Sequence, residues 1–354
     1  MTSMPDSMFG VTAGVDTHRD FHVGAVLDGL GRVLATDTFP ATGAGYQSLL
    51  AWLETFGRVL GVGVEGSGAW GAGLTRFLTA GGIEVVEVVR PNRQSRRRHG
   101  KSDTTDAIAA ARAVLSGEAS GQPRGGEGPV ESLRLLKVAR RSAVKQRTMV
   151  ANQIHSVVVT APEQLRSHLR GLPIEKMVTL MVDCRPGDAS NPLQAAKITL
   201  KALTRRHRYL TAEIGELDGH IEKLVEEAAP PGLLALCGVG PQTAADLMIT
   251  AGSNPHRLKS GASFAALCGT SPVDASSGRQ QHHRLNRGGD RQANAALYRI
   301  VIVRLRYHQP TRDYMQRRLK QGLTKTKIIR CLKRYVAQEI SKQLTQHQQA
   351  HQAA

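Results

Sequence analysis

Residues 11–39, with the sequence VTAGVDTHRDFHVGAVLDGLGRVLATDTF, decide the fold of the N-terminal part of this chain. Apolar and β-branched residues concentrate in 11–15, 21–27 and 32–39, and short segments rich in Asp, Gly and His separate them. Runs of this length, bounded by such turn residues, are typical of β-strands. The stretch therefore predicts three antiparallel strands joined by tight turns.

The residues that follow alternate between helical and strand patterns. Helical periodicity and short apolar runs predict, in order, helix 45–56, strand 59–64, helix 74–79, strand 83–89 and helix 103–116. Three antiparallel strands extended by parallel strands and helices follow the order of an RNase H-like fold, although other α/β folds share this pattern. We therefore expect an α/β N-terminal domain over residues 1–117.

The middle of the chain predicts a linker and then long helices. Residues 118–130 are rich in Gly, Ser, Pro and Glu, which indicates a linker. From 131 to 229 the pattern is helical almost throughout, with breaks near Pro173 and at 185–187. Apolar residues at helical spacing predict a long antiparallel pair of helices. A hairpin within one chain and a coiled coil that joins two chains both fit this pattern.

Residues 230–354 form the last predicted domain, which is mostly helical. The turn Gly238-Val239-Gly240-Pro241 resembles a helix–hairpin–helix, whose turn amides contact phosphates, and an ordinary helical turn is the alternative. A polar loop at 269–290 precedes predicted helices at 291–308 and 325–348.

The charge of the chain is far from that of a typical metabolic enzyme, with a formal net charge of +18 and a pI of about 10.3. A field of this size points to a polyanion, and nucleic acid fits it better than a membrane surface. No apolar run could span a bilayer, and the N-terminus lacks the pattern of a signal peptide. The four cysteines are widely scattered, which argues against zinc or a disulfide framework. We expect a reduced, cytoplasmic protein without a membrane partner.

Four carboxylates occupy positions that predict a metal site. Asp16 follows the first strand and Glu65 the fourth, at strand ends that border the functional crevice of open α/β sheets. Asp103 and Asp106 are three residues apart, which places both on one face of the next helix. Converging carboxylates repel one another unless a cation lies between them, and all-oxygen ligands suit Mg²⁺ or Mn²⁺.

Two such ions stabilise the attacking and leaving oxygens of a phosphate, so this set predicts phosphoryl transfer. The simpler interpretation is that each acid caps a helix or forms a turn. A third interpretation is a dinucleotide-binding loop, because Gly61, Gly63 and Gly66 match GxGxxG. These glycines begin inside the predicted strand and Glu65 would bring negative charge to a pyrophosphate, so we disfavour it.

The acidic set, with its last two members in a Lys-Ser-Asp-x-x-Asp-Ala context, resembles the DEDD set of the "one-ten" family of bacterial insertion-sequence transposases. Further segments of the family's C-terminal half follow in order: Gly-Val-Gly, then LCGTSP at 267–272, then Ser277-Gly278, then Asn286-Arg287-Gly288-Gly289. The match is collinear over nearly the whole chain.

This resemblance implies an N-terminal domain similar to the Holliday-junction resolvase RuvC and a bacterial, nucleoid-associated protein. It implies DNA strand cleavage and exchange through a phosphoserine, with Mg²⁺ or Mn²⁺ at Asp16, Glu65, Asp103 and Asp106. It also implies guidance by a structured RNA, the bridge RNA, which pairs with both donor and target DNA. We further expect the chain to associate with itself as a homodimer or homotetramer.

Ser277 is the predicted nucleophile of this reaction. Strand exchange without external energy needs a covalent intermediate, and a serine phosphodiester keeps the energy of the broken bond. Arg279, Arg284 and Arg287 are the nearby cations that would meet the developing charge. The alternatives that stay open are Ser276 as nucleophile and, for its activation, His282, His283 or a metal-bound hydroxide.

Three basic segments predict contacts to phosphates: one before the acidic pair, one on the helix after the linker, and one on the last helix. The second segment contains Lys137 and Lys145, and the third contains Arg330 and Lys333. The residues that we expect to bind nucleic acid are Arg96, Arg97, Arg98, Lys101, Arg140, Arg141, Arg147, Asn152, Gly238, Gly240, Arg279, Arg284 and Arg287.

Three functions fit these observations. The first is an RNA-guided DNA transposase or recombinase. The second is a metal-dependent, structure-specific nuclease that uses the acids alone, for which Ser277 would be dispensable. The third is a non-enzymatic nucleic-acid-binding protein in which the acids only cap and turn.

Overall fold

A computed structural model describes residues 10–88, 102–254, 258, 260–277 and 283–352, without the side chains of 346–352. The chain divides into two compact units. The first unit is Met1–Gly126 with Gly252–Lys259, and the second is Glu127–Ala251 with Ser260–Ala354. The four-part division at 117, 130 and 229 remains a prediction.

The first unit contains a five-stranded mixed sheet. Its strands are β1 Gly10–Thr17, β2 Phe21–Leu27, β3 Val33–Pro40, β4 Arg58–Glu65 and β5 Val85–Val88. They lie in the order β3-β2-β1-β4-β5. Strand β2 pairs antiparallel with both β1 and β3, whereas β4 is parallel to β1 and β5 is parallel to β4. The prediction of an α/β N-terminal domain with an antiparallel trio is confirmed.

Helices cover both faces of this sheet. They are α1 Gly43–Glu54, α2 Ala72–Ala80 and α3 Asp103–Leu115. Leu49 of α1 and Leu74 of α2 pack in one core with Val15 and Val64. Because successive side chains of a strand point to opposite faces, the residues beside Val15 and Val64 face α3 instead. Asp16 and Glu65 therefore share the α3 face of the sheet.

Two glycines let α3 approach the sheet closely. A Cβ on Gly14 of β1 would lie 2.2 Å from the backbone nitrogen of Ala111 and 2.3 Å from the carbonyl oxygen of Ala107. A Cβ on Gly63 of β4 would lie 2.9 Å from the carbonyl oxygen of Ala110. Only a residue without a side chain fits such spacings. Gly61 and Gly63 lie inside β4 and α2 begins only at Ala72, so these glycines do not form the strand-to-helix turn that a GxGxxG loop requires.

The second unit is mostly helical, as predicted. Its elements are α4 Gly128–Thr160, α5 Glu163–Leu169, α6 Ile174–Met181, α7 Pro192–Ala228, α8 Pro231–Leu234, α9 Pro241–Ala251, α10 Gly261–Leu267, β6 Val273–Asp274, β7 His283–Arg284, α11 Arg291–Tyr307, α12 Gln309–Lys320 and α13 Lys325–Gln352. The first of these helices begins inside the predicted linker, because Pro129 suits the first turn of a helix.

The two longest helices of the described residues, α4 and α7, pack against each other. Arg140, in the first half of α4, pairs with Asp218, in the second half of α7, whereas the later residue Ile154 shares a core with the earlier residue Leu200, so the helices run antiparallel. Val150 and Ile154 of α4 share one core with Leu200 of α7. The predicted helical pair is thus present within one chain, and a coiled coil between chains remains a prediction. Among the described helices, none is long and apolar enough to cross a membrane.

Candidate active site and nucleic-acid contacts

The structure brings the four predicted carboxylates together at one edge of the sheet. Asp16 and Glu65 are 7% and 6% exposed, and they directly follow the paired residues Val15 and Val64 of parallel strands. Asp106 is 7% exposed and shares the first turn of α3 with the half-buried Asp103. The site is therefore built from two strand ends and one helix N-terminus.

The electrostatics of Asp16 reflect this crowding. Burial raises the pKa of the Asp16 carboxyl, and the negative charges of Glu65, Asp106 and Asp103 raise it further, while His18 lowers it. Each of these acids is thus near enough to act on Asp16. Like charges held this close favour either a shared proton or a bound cation.

His18 is a member of this site that the acidic pattern alone did not predict. Its Nε2 lies 3.2 Å from Asp16 Oδ2 and 3.2 Å from Asp103 Oδ2. The signal that could have found it is its spacing, because residues two apart at a strand end point to the same face. The Asp16-Thr17-His18 sequence therefore carries two polar groups toward α3.

The chemistry of the site fits a divalent cation. One ligand atom each from Asp16, His18 and Asp103 lie within 4.8 Å of one another. The buried carboxylates supply oxygen ligands, which hard cations such as Mg²⁺ and Mn²⁺ prefer. Thr17 turns the other way and donates its hydroxyl to the carbonyl oxygen of Glu65 at 2.7 Å, which ties the ends of β1 and β4 together.

The predicted nucleophile lies in a loop of the second unit. The short strands β6 and β7 pair antiparallel through Asp274 and His283. Asp274 Oδ1 accepts hydrogen bonds from the backbone nitrogen of Ser276 at 2.8 Å and from its hydroxyl at 2.5 Å. Ser277 is exposed. The hydroxyl of Ser276 is thus engaged, and that of Ser277 is on the surface.

The base of this loop is fixed by tight backbone packing. A Cβ on Gly289 would lie 2.1 Å from the backbone nitrogen of Gly269, so the two ends of the loop nearly touch. Asp290 caps α11 by accepting from the backbone nitrogens of Gln292 and Ala293 at 2.7 and 3.1 Å. The Nδ2 of Asn294 donates to the carbonyl oxygen of Cys268 at 2.8 Å. The segment that carries Ser277 therefore leaves from a rigid base.

A basic groove lies beside the β6–β7 loop. It has a volume of about 630 Å³ and is lined by Val273, His283, Arg284, Leu285, Asn286, Arg287 and Arg330. Arg284 and Arg287 were predicted to meet a phosphate near the serine, and Arg330 of α13 joins them here. The sequence alone predicts Arg330 only as part of the basic last helix.

The Gly238–Gly240 turn precedes α9, and the helix before it, α8, is a single turn. Gly238 has φ of +82°, which favours glycine. The backbone nitrogen of Gly240 donates to the Thr243 hydroxyl at 3.0 Å, and that of Val239 donates to the Leu236 carbonyl at 3.0 Å. A phosphate at these amides would have to replace both hydrogen bonds.

The basic face predicted on α4 is partly an internal network. Lys137 is 2% exposed and bonds Asp246, so the prediction that it contacts phosphates is wrong. Arg141 also pairs with Asp246, and Arg140 pairs with Asp218. Asn152 is exposed in an open depression of α4. Arg147 is half-buried.

Some predicted site residues lie outside the residues that the structure describes. These are Arg96, Arg97, Arg98, Lys101 and Arg279, together with His282.

Comparisons with known proteins give two family matches. The family model DEDD_Tnp_IS110, described as "Transposase", matches residues 13–161. The model described as "Transposase IS116/IS110/IS902 family" matches residues 232–316. The first match covers all four acids and the second covers Ser277. In chain order, the two matches together span more than half of the sequence.

Two proteins of Streptomyces coelicolor are similar to this chain. One is named "Insertion element IS110 uncharacterized 43.6 kDa protein" and is 30% identical over 132 residues, which are 37% of this chain and 31% of that protein. The other is named "Mini-circle putative transposase for IS117" and is 24% identical over 355 residues, which cover 81% of this chain and 84% of that protein. The first alignment thus spans about a third of the relative's length, and the second spans most of it.

Proposed function

Because the chain belongs to the IS110 family of transposases, we propose that it cleaves and exchanges DNA strands with a metal-binding acidic site and Ser277 as nucleophile. One observation carries this proposal. Three buried acids, Asp16, Glu65 and Asp106, converge with Asp103 at one edge of the sheet. Acids that only cap helices or form turns are normally solvated, whereas buried like charges are costly without a cation.

The first unit is, in this proposal, an RNase H-like domain similar to RuvC. The support is its strand order β3-β2-β1-β4-β5, with an antiparallel trio extended by two parallel strands. The acids would hold one or two ions of Mg²⁺ or Mn²⁺. When bound, these ions stabilise charge on the attacking and leaving phosphate oxygens.

The packing of the protein positions the acidic side chains and limits the access of solvent to them. The close packing of α3 on Gly14 and Gly63 holds Asp103 and Asp106 over the strand ends. The Thr17 hydroxyl fixes the backbone beside Glu65. Prearranged ligands of this kind need little reorganisation during the reaction.

In the transfer step, Ser277 Oγ forms a bond to phosphorus while one phosphorus–oxygen bond of the DNA breaks. The serine loses its proton, and the departing DNA oxygen takes up a proton to become a hydroxyl. The phosphodiester on the serine keeps the energy of the broken bond for rejoining. The support is the exposure of Ser277 on a loop whose neighbouring groove contains Arg284, Arg287 and Arg330.

The proposed partners are donor DNA, target DNA and a structured guide RNA, with a second or further copies of the chain. The net charge of +18 supports binding of nucleic acid. The guide RNA and the homodimer or homotetramer rest on the family resemblance.

The test uses the full chain, its guide RNA and end-labelled donor and target DNA. We expect denatured products to include DNA attached to the protein, and the attachment to vanish in Ser277→Ala. Ser276→Ala is the matched control and keeps the adduct. An adduct that persists in Ser277→Ala rejects this nucleophile, and cut DNA without any adduct supports the nuclease alternative.

A second variant tests the acidic site. Asp106→Asn is isosteric and removes one charge, so we expect loss of cleavage with an unchanged circular dichroism spectrum. Full cleavage by Asp106→Asn, or by the native chain in excess chelator, would falsify the proposed metal site.

A further inference from the structure

We propose that His18 is a ligand of the divalent ion in the acidic site, and that its imidazole makes this site prefer Mn²⁺ to Mg²⁺. The inference rests on the metal site of the proposed function. It deepens that proposal by adding a ligand and choosing between two ions.

The backbone places His18 on the correct side of the sheet. It follows β1 directly, two residues after Asp16, whereas Thr17 between them bonds toward Glu65. The His18 backbone nitrogen donates to the carbonyl oxygen of Phe21 at 3.0 Å, which closes the turn to β2. The turn therefore directs the imidazole into the space between β1 and α3.

The imidazole is flanked by an aromatic neighbour. The rings of His18 and Phe21 lie with centroids 4.8 Å apart and an interplanar angle of 38°. Both residues are partly exposed, so this contact restricts the ring without locking it. A restricted side chain loses less rotamer entropy when it binds an ion.

The Nε2 atom of His18 lies where a metal ligand would be expected, beside two carboxylate oxygens. Nε2 lies 3.2 Å from one oxygen of Asp16 and 3.2 Å from one oxygen of Asp103. Nε2 is shielded from solvent and makes no hydrogen bond within the described residues, although both carboxylate oxygens lie within ion-pair distance of it. One nitrogen and two oxygens thus converge on one point, as donor atoms do around a cation.

The donor set decides the preferred ion. Mg²⁺ demands oxygen ligands and gives up its water reluctantly, whereas imidazole is a ligand for transition metals. A site with carboxylates alone accepts either ion. Adding one imidazole favours Mn²⁺, which also accepts carboxylates.

A competing account has the opposite consequence. A charged His18 imidazolium could take the place of the cation between Asp16 and Asp103. Removing His18 would then free both carboxylates and strengthen metal binding. The two accounts therefore differ in the sign of one measured change.

The experiment uses the full-length, tag-free protein and Mn²⁺ as the probe. Free Mn²⁺ is followed by its electron paramagnetic resonance signal, and Mg²⁺ affinity is measured by competition. We expect His18→Ala to weaken Mn²⁺ binding by about 10-fold or more, the scale seen when groups supporting metal ligands are lost. Mg²⁺ affinity stays unchanged within error. The matched control is His220→Ala, which removes an exposed histidine of α7.

A spectroscopic measurement on the unmutated protein keeps the test independent of variant folding. Electron spin echo modulation of bound Mn²⁺ should show imidazole nitrogen, and its frequencies should change with isotopically labelled histidine. Bound Mn²⁺ without nitrogen modulation overturns the inference, and so does tighter Mn²⁺ binding by His18→Ala.

The same titration separates the two proposals. If the native protein binds neither ion, the metal site of the proposed function fails together with the inference. If Mn²⁺ binds and is lost in Asp106→Asn, but carries no histidine coupling, only the role of His18 fails.

Discussion

The Nζ of Lys137 lies 3.0 Å from Oδ1 of Asp246, and both residues are 2% exposed in the interior of the second unit. Burial lowers the pKa of Lys137, whereas the charge of Asp246 raises it and those of Arg140 and Arg141 lower it. Asp246 also accepts from Arg141 at 3.0 Å and from Arg299 at 2.8 Å. One carboxylate of α9 thus joins cations of α4 and α11.

We expect Asp246→Ala to destabilise the second unit by about 3–5 kcal/mol, because it leaves buried positive charge without a partner. Lys137→Met should cost less, since Asp246 keeps both arginines. Urea unfolding followed by circular dichroism measures the two changes. The control is Asp183→Ala, whose pair with Arg208 is exposed and should contribute about 0–1 kcal/mol. A larger loss for Lys137→Met than for Asp246→Ala would contradict this ranking.

The contact between Gly14 and α3 predicts that a single methyl group disturbs the acidic site. Gly14→Ala places a Cβ 2.2 Å from a backbone atom of Ala111, so α3 must move. We expect a loss of about 1–3 kcal/mol, as for an overpacked core, together with weaker Mn²⁺ binding. Thermal unfolding and the Mn²⁺ titration measure these effects. Gly29→Ala is the control, because a Cβ there meets no atom within 4 Å; equal behaviour of the two variants would rule the explanation out.

His22 predicts a pH dependence of stability. The side chain is fully buried and stacks on Tyr46 with ring centroids 5.6 Å apart. Burial lowers the pKa of His22, the polar backbone of Phe21 acts in the opposite direction, and the charge of His18 lowers the pKa further. The unfolded chain therefore binds this proton more readily than the folded chain.

The contribution of His22 is constant above the unfolded pKa of about 6.5 and is lost as the pH falls toward the lowered folded pKa. The slope in that window is at most about 1.4 kcal/mol per pH unit. We expect His22→Leu to reduce the fall in melting temperature between neutral and mildly acidic pH. The exposed His220→Leu serves as the reference, and a native-like pH profile in His22→Leu would refute the assignment.

The groove of Arg284, Arg287 and Arg330 predicts a phosphate contact that salt weakens. Affinity for DNA should fall by orders of magnitude between about 50 and about 200 mM salt. Arg287→Gln and Arg330→Gln should each lower the slope of log affinity against log salt by about 1. Arg134→Gln is the control, because Arg134 already pairs with Glu131. Fluorescence anisotropy measures the slopes, and unchanged slopes in both groove variants would remove this contact from the model of binding.

The sequence by itself determined the order of strands and helices in the first unit and the residues of the acidic set. Both follow from local rules: side chains alternate along a strand, and residues three apart share a helix face. These rules place Asp16 and Glu65 at strand ends, and the pairing of β1 with β4 puts them side by side. The predicted bounds of α1 and β5 differ from the observed ones by about two residues, because helix and strand ends depend weakly on local pattern.

Only the tertiary structure decided which charged residues are internal. Lys137 belongs to a row of basic residues whose spacing predicts one solvated face. In the structure it is buried and pairs with Asp246, which lies on a helix far along the chain. The sequence predicts His18 only as a turn residue, whereas the packing of α3 places Asp103 beside its Nε2. The physical reason is that a charge can be buried at low cost only if it pairs with an opposite charge. That partner can lie far along the chain, where a local sequence pattern does not reveal it.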